Sequence, residues 1–278
     1  MAIAAHYAQQ TGKRFPFIED FVLQKDKSLD SVDEEIIIQY IRSLDSLGAL
    51  KNGRWKEAEP YIVNLGVAEH YWKYYVLKND YEPEWPEYEQ VLLKDCDRGH
   101  ELVRYHGSLN AALTSNINSS DYYDTSSGKI IIANSRVEQD QKIRDHLLRC
   151  ASNFKNNYDA IDACIYYADN FSLKSWPELE NIIIKSIIKN IQLDHNIYLR
   201  FATKYAIHIL RGRWKQVEPF YLFDVNNLTY AIDYQIAVMN KQRWPDLERE
   251  ILKTKDNQLI RVYKAKLQAY NFDISDIF

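Results

Sequence analysis

The sequence predicts an all-α chain: an α-solenoid of helical hairpins in which a three-unit block is duplicated around an irregular central insertion. Three observations carry this. A Trp-centred motif recurs six times along the 278 residues, apolar positions follow each copy at helical spacing, and only 8 glycines and 7 prolines are available for the tight turns of an all-β fold. Hydrophobic residues at 46 % and charged residues at 27 % are ordinary for a globular chain and exclude wholesale disorder.

The clearest copies are Gly53-Arg54-Trp55-Lys56-Glu57-Ala58-Glu59-Pro60 and Gly212-Arg213-Trp214-Lys215-Gln216-Val217-Glu218-Pro219. Each is followed, at the same spacing, by a Trp-Pro-x-x-Glu, at Trp85 and Trp244. A third member precedes each pair, at Trp176 and, with Phe in place of Trp, at Phe15. The step from Trp55 to Trp214 equals that from Trp85 to Trp244, and the step from Phe15 to Trp176 nearly matches it, so the two sets stand at an almost constant offset. Counting the aromatic as position 0, position +1 is Pro at four of the six sites, which suits the first helical turn because its missing N–H has no partner there anyway. Helices are therefore expected to begin within about one residue of Phe15, Trp55, Trp85, Trp176, Trp214 and Trp244. Positions +3, +7 and +8 are apolar or aromatic in every copy, as in Leu179, Ile183 and Ile184, so a broad stripe is expected to face the core.

Position +4 is Glu in all six units: Glu19, Glu59, Glu89, Glu180, Glu218 and Glu248. At 100° per residue it falls inside the apolar stripe, where a carboxylate is costly unless hydrogen-bonded. Arg at position −1 in four units (Arg14, Arg54, Arg213, Arg243), an indole N–H, tyrosine hydroxyls or a helix N-terminus are available partners. Six copies of one acid point to a structural inter-repeat contact rather than to a catalytic group. Each unit then carries a second helix bearing Tyr and Ala, such as Tyr205-Ala206 or Tyr230-Ala231. The expected organisation is a first repeat block at 1–97, an irregular centre at 98–157 with a polar loop at 114–128, and a second block at 158–278 ending in a capping helix.

Tandem units of the form GRWPEAE, followed by an apolar helix and a Tyr-Ala helix, resemble the short helical repeats of proteins from tailed bacteriophages and other large DNA viruses. The resemblance runs through the six motifs and stops across 98–157; Lys56 and Lys215 depart from its Pro, and Phe15 from its Trp. It implies a viral origin and a helical-repeat fold, and it brings no catalytic residues.

Chemistry-bearing patterns are sparse. Cys96, Cys150 and Cys164 are odd in number and form no CxxC, so no disulfide framework or zinc knuckle is legible, and a reducing compartment is expected. Cys96 and His100 stand four apart but lack a second pair, and no metal site or cofactor is expected. The segment Asp124 to Lys129 lacks the first Gly of a phosphate loop, and Ile130 replaces its Ser or Thr. A formal charge of −4 disfavours nucleic acid as a partner, and the apolar runs are too short for a membrane.

Internal symmetry offers a sharper clue. At the constant offset, Trp72 and Tyr74 align with Ala231 and Asp233, so the first block carries aromatics that its twin does without. Together with Asp121, Tyr122, Tyr123 and Asp124 of the polar loop they form the expected protein-binding surface. The expected role is a non-catalytic, phage-encoded interaction scaffold directed at a host factor or defence complex in the host cytoplasm, with self-association and a virion location left open. One alternative is a nuclease or other hydrolase with its site among Asp95, Asp97, His100, Glu101, Asp121 and Asp124. Another is a structural virion or assembly component.

Overall fold

Where each helix begins depends on which backbone N–H groups the motif supplies. The computed structural model describes residues 11, 37–42, 44, 54–56, 58–63, 66–77, 84–115, 123–124, 129–130, 134–153, 157–192, 196–240 and 242–273. They belong to two compact units, Met1–Glu138 and Gln139–Phe278. The first contains α1 (Glu59–Ile62), α2 (Ala68–Tyr71) running directly into a π-helical turn at Trp72–Val76, α3 (Pro86–Leu92), a 3₁₀ turn at Cys96–Arg98 and α4 (Gly99–Ser115). Two-residue strands β1 (Tyr123–Asp124) and β2 (Lys129–Ile130) pair antiparallel, with Tyr123 opposite Ile130 and Asp124 opposite Lys129. Helix α5 (Asn134–Ser152) crosses the unit boundary. The second unit continues with α6 (Tyr158–Asn170), α7 (Pro177–Lys189), α8 (Tyr198–Tyr205) with a π-helical turn at Ala206–Leu210, α9 (Glu218–Tyr221), α10 (Leu228–Val238), α11 (Pro245–Thr254) and α12 (Asn257–Ala269). The chain is mostly helical, and the all-α class holds.

Helices α3, α7 and α11 start at the Pro that follows Trp85, Trp176 and Trp244. In each the N–H of the +4 glutamate closes the first turn on the Trp carbonyl, at 3.1, 3.0 and 3.0 Å. The units without that Pro behave differently, and the expectation of a helix start at Trp55 and Trp214 is corrected. A turn forms there, with Ala58 N donating to Trp55 O and Val217 N to Trp214 O, but regular helix begins only at Glu59 and Glu218. Pro60 and Pro219 have no N–H to give the carbonyls of Lys56 and Lys215, and their rings crowd them, so regular helix starts only beside the proline. Phe15 and Glu19 lie outside the described residues.

The buried stripe is narrower than the sequence pattern. Among the described residues, position +7 is fully buried in Ile62, Leu92, Ile183, Tyr221 and Ile251, whereas at +8 only Val63 is buried and Leu252 is exposed. Helix α3 packs on α4, so the hairpin of the Trp85 unit continues past residue 97 into the segment read as the irregular centre. That segment is itself largely helical in α4 and α5.

Trp72 is the main correction to the expected surface. It is 2 % exposed, in the π-helical turn, with its ring 4.5 Å from that of Tyr105, whereas Tyr74 two residues on is 50 % exposed. Trp72 directly follows Tyr71, and the π-helical turn begins at it. We expect Trp72→Ala to lower the unfolding free energy by about 3 to 5 kcal/mol, and Tyr74→Ala to change it by less than about 0.5 kcal/mol, both read by urea denaturation. Equal effects would contradict the assigned burial.

Candidate functional site

In the Trp55, Trp176, Trp214 and Trp244 units the glutamate at position +4 closes its own hairpin rather than bridging to the next. In the Trp55 unit, Arg54 forks the Glu59 carboxylate, with Nε at 2.8 Å from Oε1 and Nη2 at 2.7 Å from Oε2. Tyr71, at the end of α2, donates its hydroxyl to Glu59 Oε1 at 3.0 Å and accepts the Trp55 N–H at 2.7 Å. One phenol oxygen thus serves an otherwise orphaned helix-start donor and a buried acid together. The same arrangement recurs in the Trp214 unit. There Arg213 forks Glu218 at 2.8 and 2.6 Å, and Tyr234 accepts Trp214 N–H at 2.6 Å while donating to Glu218 at 3.3 Å.

The remaining units vary the set. Tyr205 accepts from Trp176 N at 2.6 Å and donates to Glu180 at 2.8 Å, with Ser175 where Arg would stand. Arg243 holds Glu248 with Nε at 2.8 Å, and Tyr263 reaches that carboxylate at 3.3 Å. Tyr105 accepts from Trp85 N at 2.8 Å, and Glu84 replaces the Arg. Burial, with the nearby carboxylate acting in the same direction, pushes the Tyr71, Tyr105, Tyr205, Tyr234 and Tyr263 hydroxyls well above the ordinary phenol range, so they stay protonated donors.

Contact between consecutive repeats comes from the other end of the same tyrosines. The Tyr71 ring lies 5.4 Å from that of Trp85, Tyr205 5.0 Å from Trp214, and Tyr234 5.9 Å from Trp244. Tyr167 fits the series: its hydroxyl donates to Asp140 and its ring lies 5.7 Å from Trp176. The hairpin α5–α6 is therefore a degenerate repeat without the Trp, and burial raises its Asp140 carboxyl, opposed by Arg144. A second polar series precedes the second helices. Asn157, Asn196 and Asn227 are buried just before α6, α8 and α10. Asn157 Oδ1 accepts from Tyr198 OH at 2.8 Å, and Asn227 Oδ1 from Asn196 N at 3.3 Å, which ties each hairpin to the next.

These tyrosines realign the internal comparison. Tyr71 corresponds to Tyr234, so Trp72 corresponds to Gln235 and Tyr74 to Ala237, four positions from the Ala231 and Asp233 that a constant offset assigns. The position after the tyrosine is buried in Trp72, His106, Ala206 and Gln235 alike. It faces the next unit's tyrosine: Trp72 packs on Tyr105, and Gln235 accepts from Tyr263 at 3.0 Å.

No protein-family model, curated protein or solved structure matches this chain.

Two acids of the suggested hydrolase site, Asp95 and Glu101, have structural partners. Asp95 caps the 3₁₀ turn by accepting from Asp97 N at 3.0 Å, and Glu101 is held by Arg98, with Nε at 2.7 Å, and by the Tyr88 hydroxyl. Tyr123 and Asp124 are placed by backbone pairing in β1, and Asp121 and Tyr122 lie outside the described residues. Burial raises the Cys164 thiol, which is an inert core group. Among the described residues no helix is long and apolar enough to cross a membrane.

What these contacts leave free is the outward side of the second helices. Side-chain contacts cross between neighbours there: the ion pair Glu69–Arg104 in the first unit, and in the second the ion pairs Asp162–Lys204 and Asp233–Lys266 and the Asp169–His208 hydrogen bond. Each adds little stability because it is solvated. Among them stand the exposed side chains of Tyr74, Tyr166, Ile207 and Val262.

Arg54–Glu59 is the more enclosed fork, with side chains 9 % and 8 % exposed, whereas Arg213 is 38 % exposed. Glu59→Ala should cost on the order of 3 kcal/mol, since it removes the carboxylate that forks a buried guanidinium. Glu218→Ala should cost about 1 to 2 kcal/mol after solvent screening. Chemical denaturation of both variants checks the order, and a larger loss at Glu218 would contradict it.

A pH dependence follows from His106. It is buried, its Nε2 has no hydrogen-bond partner, and Glu89 Oε1 stands 3.7 Å away, too far to bond. Burial lowers its pKa to about 4, below the ordinary 6.5. The unfolded chain therefore binds the extra proton first, so the stabilisation is complete above about pH 6.5 and is lost as pH falls toward 4. His106→Gln should lose less stability than the parent between pH 7 and 4, by on the order of 3 kcal/mol. Parallel urea titrations would show identical pH slopes if this assignment is wrong.

Proposed function

We propose that the chain is a non-catalytic helical-repeat scaffold, phage-encoded, which binds a host factor or defence complex in the host cytoplasm. In this reading the hairpins stack as an α-solenoid built from a duplicated block, and recognition falls to the outward side of the second helices. The observation that carries it is the repeated closure of Trp N–H, Tyr hydroxyl and Glu carboxylate, seen with Tyr71, Tyr205 and Tyr234. A chain that spends the same acid and phenol on holding each unit in register resembles a structural array more than an enzyme. In such arrays, specificity resides in residues that the packing does not use. Here those include Tyr74 in the first unit and Ile207 in the second.

The test is quantitative affinity capture from expressing cells, followed by reconstitution of the enriched protein with the purified full chain. A saturable complex with a Kd below about 1 μM, weakened by Tyr74→Ala or by Tyr166→Ala with Ile207→Ala, is expected. Hydrolysis of a nucleic acid or ester by the purified chain, abolished by Asp97→Asn or His100→Ala, would replace this reading with an enzymatic one.

A further inference from the structure

The first unit segregates charge on one outward face. Tyr74 projects from the π-helical turn, with the His70 ring 4.5 Å from its own and Lys73 Nζ 5.6 Å from its centroid. The His70 imidazole is held below its ordinary pKa first by burial and then by the charges of Arg42 and Lys73, so Arg42 lies within electrostatic reach of that imidazole. Glu69, the carboxylate on the same helix, is already engaged by the Arg104 fork at 2.6 and 2.9 Å. Among the described residues, neither Arg42 nor Lys73 forms an ion pair, and both are exposed. A chain of net charge −4 thus presents here a half-exposed aromatic with Lys73 against its ring and Arg42 within electrostatic reach of the His70 that packs on it, and no described carboxylate pairs with either cation.

We propose that this face, with Tyr74 as anchor and Arg42 and Lys73 as flanking cations, docks an acidic segment of a partner protein. The inference rests on the scaffold reading and gives its partner a chemistry. An aromatic on a rigid helix supplies apolar contact at low entropic cost, and carboxylates on the incoming segment complete the two cations. Two such cations are too few for the sequence-independent phosphate binding of a nucleic acid, which gains affinity from many contacts. His70, neutral and packed against the Tyr74 ring, sets that ring's orientation.

The experiment is a display selection of random peptides of about 12 residues on the intact chain, followed by binding measurements on the winners. Winners should be enriched in Asp and Glu. They should weaken at least about tenfold with Arg42→Gln/Lys73→Gln and with Tyr74→Ala, but not with Lys94→Glu or Lys215→Glu. Their affinity should also fall with added salt. Winners without acidic enrichment, or indifferent to Arg42, Lys73 and Tyr74, would overturn the inference. If those winners depend instead on Tyr166 and Ile207, the scaffold reading survives alone; if no surface variant affects any winner, both fall. Tighter binding of a single-stranded oligonucleotide than of any peptide, lost in Arg42→Gln/Lys73→Gln, would make the face a phosphate site and would also overturn it.

Discussion

A buried tyrosine hydroxyl, held between the N–H of the motif tryptophan and the carboxylate four residues later, closes the Trp55, Trp176 and Trp214 hairpins, and the other described hairpins keep part of the same contact. A helix start leaves backbone donors without partners, and a glutamate in the first turn leaves an acid facing the core. One phenol meets both needs, because its oxygen can accept from the backbone while its proton goes to the carboxylate. The acid is also favourably placed near the positive end of its helix. Where Arg precedes the tryptophan, its fork completes the charge balance, as in Arg54–Glu59, Arg213–Glu218 and Arg243–Glu248. The ring of the same tyrosine then meets the next tryptophan, so a single side chain closes one unit and positions its successor.

This arrangement tolerates a variable connection. The stretch from tryptophan to closing tyrosine is shortest between Trp55 and Tyr71, longest between Trp176 and Tyr205, and intermediate between Trp85 and Tyr105 and between Trp214 and Tyr234. Loop-closure entropy grows only slowly with length, so hairpins of different reach can end in the same contact. A π-helical turn follows Tyr71 and Tyr205, in the shortest and the longest of these units alike, adding a residue to a turn without breaking the helix. The chemistry varies too. Asp140 replaces the glutamate opposite Tyr167, Ser175 replaces the Arg beside Trp176, and in the Trp85 unit a buried neutral His106 stands near Glu89 where no Arg precedes the motif.

Division of labour follows from that economy. Residues after the closing tyrosine, such as Trp72, His106 and Gln235, are drawn into the core, where they differ in size and polarity because each fits a different neighbour. Residues further round the same helices reach solvent and carry the ladder of side-chain contacts between neighbours. A large aromatic near the tyrosine therefore has no fixed meaning in sequence: Trp72 is core and Tyr74, almost adjacent, is surface.

The sequence by itself determined the helical class, three of the helix starts and the glutamate that the Trp55, Trp214 and Trp244 motifs bury. All of these follow from local rules: helical periodicity, proline at the first turn, and the cost of an acid on an apolar stripe. It also pointed to arginine and tyrosine as partners for that acid. Only the tertiary structure decided which tyrosine closes which unit, because the intervening chain varies in length and a constant offset misaligns the second helix by a full turn. It decided too that α4 belongs with α3, that α5 and α6 form a repeat lacking the tryptophan, and that asparagines join successive hairpins. In each case the deciding contact lies between residues far apart in sequence, and local periodicity carries no record of it.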